Sequence, residues 1–128
     1  IGLGIPAEPL FRSLNVENTE DVLLYADESQ ISQILINLVK NAAQAGARHI
    51  EISAEIDKRD NVIINVSNDG PPISAASQEE IFIPFFTTKP EGSGIGLSLS
   101  RQIMRMHGGT LRLTRSDSEA TVFTLIFK

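Results

Sequence analysis

The chain has 128 residues, a formal net charge of −5 and no cysteine. Its length predicts one domain with a substantial buried core. The acidic balance, the single tyrosine and the lack of tryptophan argue against a nucleic-acid partner, because such partners need basic patches and stacking aromatics. The lack of cysteine excludes disulfides and is compatible with a reducing cytosol. No apolar run approaches the roughly 20 residues of a membrane span, so no membrane contact is expected.

The first part of the chain is predicted to be irregular and then extended. Residues 1–9 carry two glycines and two prolines, which predicts a leader or linker stub before a domain that spans 10–128. Short strands are predicted at 11–16 and 22–26, and residues 17–20 form a polar turn between them.

A long helix is predicted after Asp27, which is a candidate N-cap, and Gly46 is its predicted end. Apolar side chains recur along it at helical spacing. These positions are Ile31, Ile34, Leu35, Leu38, Ala42 and Ala45.

The remaining chain alternates between strand and helix signals. A hairpin, a turn-rich stretch, a second long helix and a closing hairpin are predicted, at 50–56 with 62–66, at 68–76, at 95–106 and at 110–115 with 121–127. This order predicts a two-layer α/β sandwich with helices on one face of a mixed, mostly antiparallel sheet.

Four polar residues share one face of the first helix: Asn37, Lys40, Asn41 and Gln44. One interpretation is an ordinary solvated face. Two asparagines inside a helix favour a binding function for their amide groups, because asparagine is a poor helix former. An amide oxygen suits Mg²⁺, and an amide NH₂ group or a lysine can meet phosphate.

The turn after residues 62–66 contains Asn68, Asp69 and Gly70. Turn chemistry alone accounts for these residues. The functional alternative is that Asn68 or Asp69 accepts a hydrogen bond from the amino group of a base.

Two further segments carry candidate phosphate ligands. Residues 81–89 hold three phenylalanines followed by Thr87, Thr88 and Lys89, and Lys89 is either an exposed loop lysine or a cation for phosphate. Residues 91–98 are a glycine-rich loop that opens a helix, which is a pattern of phosphate sites and also of plain tight turns.

These segments, in this order, resemble the catalytic ATP-binding domain of bacterial sensor histidine kinases, a branch of the Bergerat-fold ATPases. The resemblance covers about residues 22–127. Its four motifs are an N box at 31–45, a first glycine box at 66–73, an F box at 82–89 and a second glycine box with its helix at 92–109.

The resemblance assigns roles to individual residues. Asn41 corresponds to the Mg²⁺ ligand, Asn41 and Lys89 are the implied catalytic residues, and 71–93 corresponds to a mobile ATP lid. The implied nucleotide-binding residues are Asn37, Lys40, Asn41, Gln44, Asn68, Asp69, Gly70, Ile73, Phe86, Thr87, Thr88, Lys89, Ser93, Gly94, Ile95, Gly96, Leu97 and Thr121.

Two positions depart from the family pattern in the first glycine box. Asn68 stands where the family usually has an aspartate that reads adenine, and Asp69 follows it. Pro72 replaces the second glycine of the box. The residue that reads adenine therefore stays open between Asn68 and Asp69.

The resemblance implies that the domain binds ATP and Mg²⁺ and presents the γ-phosphoryl group to a histidine on a separate dimerisation domain, with a response regulator as the later partner. The fragment is expected to be a cytoplasmic monomer, although family parents are often membrane-anchored. His49 and His107 are interpreted as structural, so no autophosphorylation of the fragment is expected.

Two alternatives remain at this point. One is an ATP-hydrolysing or serine-phosphorylating relative of the same fold; the lack of any acidic residue between Gln30 and Gly46 argues against a hydrolase. The other is a degenerate nucleotide-binding or protein-interaction module, an alternative that the Asn68 and Pro72 departures keep open.

Overall fold

The computed structural model describes residues 13–18, 26–84 and 96–128. Within these ranges five strands and three helices follow one another. They are β1 (Ser13–Asn18), α1 (Glu28–Gln44), β2 (His49–Ile56), β3 (Val62–Asn68), α2 (Ala75–Gln78), α3 (Gly96–Met106), β4 (Thr110–Ser116) and β5 (Thr121–Phe127).

The strands form one sheet in the order β1-β2-β3-β5-β4. β1 runs parallel to β2, and the other neighbouring strands are antiparallel. The buried side chains of α1 and α3 share one core with alternate residues of the strands, among them Ile52, Val66 and Phe123, which lie side by side on one face. The predicted two-layer sandwich with a mixed, mostly antiparallel sheet is therefore confirmed.

Helix α1 begins and ends as the sequence predicts. The Asp27 carboxylate accepts a hydrogen bond from the Gln30 N–H at 3.0 Å, and Gly46 follows the helix with a φ of 93°, which favours glycine. Most of the predicted apolar positions are buried, whereas Ala45 is exposed and the unpredicted Val39 is 1% exposed. The amphipathic face of α1 thus faces the sheet.

The structure corrects several predicted boundaries. Strand β1 continues through Glu17 and Asn18, which the sequence placed in a turn, because both residues pair with β2. Of the strand predicted at 22–26, residues 22–25 lie outside the described residues and Ala26 is in a bend. Strand β3 extends to Asn68, and the one-turn helix α2 was not predicted.

Helix α3 is joined to the chain that follows β3 by a stacked arginine. The Arg101 guanidinium lies 3.8 Å from the centroid of the Phe82 ring, and its Nε donates to the Leu111 carbonyl at 3.4 Å. Phe82 in turn meets Phe123 of β5 edge to face, with centroids 6.4 Å apart. Among the residues described, no helix is both long and apolar enough to cross a membrane.

Candidate functional site

One group of candidate residues lies at the end of β3, in a feature we call the β3 rim: Asn68, Asp69 and Gly70. Asn68 is 8% exposed and pairs across the sheet with Thr121 of β5. Its Oδ1 accepts a hydrogen bond from the Gly70 N–H at 2.9 Å. A Cβ atom on Gly70 would lie 2.9 Å from the same oxygen. Gly70 therefore has to be a glycine for Asn68 to keep this position.

The Asp69 side chain connects the end of β3 to the start of β2. Its Oδ1 accepts hydrogen bonds from the N–H groups of Arg48 at 2.8 Å and His49 at 3.0 Å, just where β2 begins. The hydrogen bond from His49, with a further one from Arg48, holds the pKa of the Asp69 carboxyl below its usual value of 3.8. This oxygen is already occupied by the fold, although the side chain is exposed.

The chain after the rim is tied to the β4–β5 hairpin by hydroxyl groups. The Ile73 N–H donates to Ser116 Oγ at 2.8 Å, and that hydroxyl lies 2.9 Å from Thr121 Oγ1. Thr121 is 3% exposed. Ile73 and Thr121, both predicted site residues, are thereby connected through Ser116, while Pro72 between the rim and Ile73 is exposed.

The second group lies where α1 meets α3, in a feature we call the α1–α3 seam. Asn37 Nδ2 donates to Ser100 Oγ at 3.3 Å, and Gln33 Nε2 donates to Asn37 Oδ1 at 3.2 Å. A Cβ atom on Gly96 would be 3.7 Å from Asn37 Cγ. The amide of Asn37 therefore lies beside the first residue of α3, which is the end of the predicted glycine loop.

The predicted polar stripe of α1 is divided by this packing. Asn37 and Asn41 are half-buried, whereas Lys40 and Gln44 are exposed. Helix α3 covers only one edge of the stripe, so its four members have different surroundings. Leu97, the next predicted residue of α3, is half-buried and packs against the core.

Seven predicted site residues lie outside the described residues. They are Phe86, Thr87, Thr88, Lys89, Ser93, Gly94 and Ile95. Of the predicted lid at 71–93, the described part is 71–84, which contains α2.

In the described residues, protein side chains alone do not form a complete metal site, so a metal ion would need further oxygen atoms from a bound nucleotide and water. Within residues 13–18, 26–84 and 96–128, no cluster of three or more His, Asp or Glu side chains is arranged to hold a metal ion. A single amide oxygen such as that of Asn41 fits Mg²⁺ when phosphate and water oxygens supply the other positions.

Three polar residues of the site were not predicted: Gln33, Ser100 and Ser116. Ser100 is completely buried in an otherwise apolar stripe of α3, four residues after Gly96. The available signal in the sequence was a small hydroxyl residue among apolar residues at helical spacing. Ser116 and Gln33 have no comparable signal, because serine and glutamine are common in hairpins and on exposed helix faces.

Sequence comparisons place the chain among ATPases. A sequence model of the histidine kinase-, DNA gyrase B- and HSP90-like ATPases matches residues 26–128. The sensor histidine kinase ZraS of Escherichia coli strain K12 is 38% identical over 103 residues, which are 80% of this chain and 22% of that protein. Sporulation kinase B of Bacillus subtilis is 31% identical over 120 residues, 90% of this chain and 28% of that kinase. The chain thus spans roughly a quarter of the curated relatives' length.

A solved structure agrees with these sequence relatives. The catalytic domain of histidine kinase ThkA, in a nucleotide-free form, superposes with a TM-score of 0.79 at 38% identity. The superposition covers 92% of this chain and 79% of that domain.

Proposed function

This chain belongs to the family of histidine kinase-, DNA gyrase B- and HSP90-like ATPases, as an ATP-binding catalytic domain of the sensor histidine kinase type, and we propose that it binds Mg-ATP for phosphotransfer to a histidine. The observation that carries the proposal is the hydrogen bond from Asn37 to Ser100 of α3, with Gly96 so near that a Cβ atom on it would lie 3.7 Å from Asn37 Cγ. It brings the N-box amide beside the N-terminal end of α3, where unpaired backbone N–H groups favour an anion.

At the adenine end, the geometry supports Asn68 rather than Asp69. Asp69 Oδ1 already accepts two backbone hydrogen bonds and faces the start of β2. Asn68 is buried at the end of β3, beside Thr121. We therefore assign adenine recognition to Asn68. Its amide oxygen accepts one hydrogen bond from the Gly70 N–H and keeps a second lone pair, which offers a neutral acceptor in place of the family's carboxylate.

At the phosphate end, we assign Asn41 as the Mg²⁺ ligand and Asn37 as a phosphate donor. The two amides lie one helical turn apart on α1 and are half-buried. Lys40 is exposed nearby and contributes positive charge. The assignment of Lys89 and of the loop residues 93–95 to the phosphates is part of the same proposal.

The proposed reaction transfers the γ-phosphoryl group to an imidazole nitrogen. A P–N bond forms, the bond between the γ-phosphorus and its bridging oxygen breaks, and ADP leaves. Bound Mg²⁺ supplies charge neutralisation at the phosphates. The chain's own residues form no covalent bond in this scheme; they orient the nucleotide and hold it against α1 and α3, which is the usual contribution of a protein to phosphoryl transfer.

The partners of the reaction lie on other domains. We propose that the acceptor histidine belongs to a helical dimerisation domain of the same kinase and that a response regulator takes the phosphoryl group afterwards. This chain has two histidines of its own that could compete as phosphoryl acceptors. His49 lies at the start of β2, and His107 lies directly after α3. We expect the reaction to take place in the cytoplasm.

The first test is calorimetric titration of the chain with ATP, with and without Mg²⁺, on the wild type and on Asn41→Ala. We expect Asn41→Ala to lose most of the Mg²⁺-dependent part of the affinity, because the amide oxygen is removed from the metal site. The melting temperature should stay close to that of the wild type, since alanine is a better helix former than asparagine.

The matched control is Gln102→Ala, which removes an exposed amide from α3 outside the seam. Its ATP affinity should equal that of the wild type. Equal affinity of Asn41→Ala and the wild type would remove Asn41 from the site. A wild type that fails to bind ATP at millimolar concentration would favour the degenerate-module alternative.

A further inference from the structure

A histidine closes the end of the α1–α3 seam that lies far from the candidate nucleotide site. Nδ1 of His107 lies 2.8 Å from the Ile103 carbonyl oxygen, and the Asp27 N–H points at its Nε2 at 3.3 Å. A carbonyl oxygen only accepts and a backbone N–H only donates. These two partners therefore require a neutral imidazole with its proton on Nδ1.

The contacts along the seam show that α1 and α3 run antiparallel. Asp27 at the start of α1 meets His107 after the end of α3, and Asn37 meets Gly96 and Ser100 at the start of α3. Along α1, Asp27 and Asn37 are ten residues apart, or about 15 Å. The seam therefore has a polar contact at each end.

Between these two ends the seam is apolar. Ile34 and Met104 are 0% exposed and Ile103 is 6% exposed. Dispersion contacts among such side chains favour close approach of the helices, but they are non-directional, and apolar cores can repack with a loss of uniqueness before a loss of stability. Directional hydrogen bonds are more specific, so the polar ends are suited to define the register.

We infer that His107 is a positioning residue for nucleotide binding, which holds α3 in register along α1 so that Gly96 and Ser100 stay beside Asn37. The inference rests on the proposed function, because it holds that this register serves nucleotide binding. His107 makes its contribution about 15 Å from the site, through the rigid helices.

The chemistry of the side chain explains why an imidazole suits this place. Phenylalanine keeps the ring but can neither donate nor accept. Glutamine is neutral and can both donate through its NH₂ group and accept through its oxygen. These two substitutions separate the hydrogen bonds of His107 from its bulk.

The experiment compares Mg-ATP affinity in His107→Phe, His107→Gln and Val62→Ala, each with its melting temperature. Val62 is buried at the start of β3, six residues and about 20 Å from Asn68, and it makes no hydrogen bond through its side chain. Its truncation therefore lowers stability far from the β3 rim and leaves the polar contacts of the seam in place. We expect the Kd to rise about fivefold or more in His107→Phe. It should stay within about twofold of the wild type in Val62→Ala, and His107→Gln should recover part of the loss.

A second measurement needs no nucleotide. In the free protein, nitrogen-15 NMR should show the His107 proton on Nδ1, and His107→Phe should shift the Asn37 side-chain amide and the Gly96 N–H signals. A proton on Nε2, or unmoved Asn37 and Gly96 signals, would overturn the inference. So would an equal rise of Kd in Val62→Ala at a matched loss of melting temperature. A wild type that shows no ATP binding would instead overturn the proposed function, while the NMR signals still decide the register.

Discussion

The β3 rim and the α1–α3 seam hold their candidate residues by different means. At the rim, side-chain oxygens accept from backbone N–H groups at 2.8–3.0 Å. At the end of the seam near Asn37, side chains contact side chains at 3.2–3.3 Å. Rim residues therefore bind the fold itself, and seam residues mainly bind one another. We expect substitution of Asn68 or Gly70 at the rim to cost stability and binding together, and substitution of Asp69 to cost mainly stability. Substitution of Asn37 or Gly96 at the seam should cost mainly binding.

The largest effect on stability is expected from Gly70→Ala at the rim. The new methyl group would lie 2.9 Å from Asn68 Oδ1 and 3.4 Å from the Ala47 side chain, in a buried place. Overpacking of this kind costs about 1–3 kcal/mol. Urea denaturation measures the loss, and calorimetry should show weaker ATP binding in the same variant. Wild-type stability in Gly70→Ala would show that the rim is loosely packed.

A smaller and pH-dependent effect is expected from Asp69→Asn. The folded carboxyl has a lowered pKa, so its stabilising contribution is fully present above the ordinary value of 3.8 and is lost as the pH falls through the folded value. At pH 7 the neutral amide should cost about 1 kcal/mol, since it replaces a charged acceptor at an exposed position.

The check on Asp69→Asn is a pair of denaturation curves at each pH. The difference in unfolding free energy between wild type and variant should shrink as the pH is lowered below 3.8. A difference that stays constant from neutral to acid pH would mean that the charge of Asp69 does not stabilise the pairing of β2 and β3. Mg-ATP affinity at pH 7 should change little, which separates Asp69 from Asn68.

The smallest stability effect is expected from Gly96→Ala at the seam. A Cβ there meets Asn37 at 3.7 Å, an ordinary van der Waals distance, and alanine is the better helix former. Stability should therefore stay within about 0.5 kcal/mol of the wild type. ATP affinity should fall several-fold, because the methyl group would lie beside the Asn37 amide at the helix N-terminus, where we propose that the phosphates bind. A variant that loses stability and keeps its affinity would reverse the proposed contrast.

The fold was predictable where one element carries its own signal. Asp27, Gly46 and the apolar period between them predict α1, and the two hairpins follow from alternating strands around polar turns. Glu17 and Asn18 look like a turn by composition, yet they belong to β1 because of pairing with residues more than thirty positions later. Such pairing has no local signature.

The site was predictable as a set of motifs and less so as a set of contacts. Asn68 and Asp69 are both acceptors in a turn-like sequence, so the sequence leaves adenine recognition open between them. The partners of Asp69 are Arg48 and His49, twenty-one and twenty residues earlier in the chain, which only the sheet register brings close. In the same way, helical spacing places Lys40 and Asn41 in one polar stripe, whereas the packing of α3 leaves Lys40 exposed and Asn41 half-buried.

The position of β1 at the edge of the sheet has a consequence for the solubility of shortened forms. β1 pairs with β2 from His49 to Ala54, whereas the family match begins at residue 26 and leaves β1 out. In a form cut at that boundary, β2 would become an open edge with alternating buried and exposed side chains. Open edges of this kind recruit strands from other molecules. Pairing with β1 therefore replaces an open edge of eight residues by one of six, and shorter edge strands are less prone to recruit other molecules.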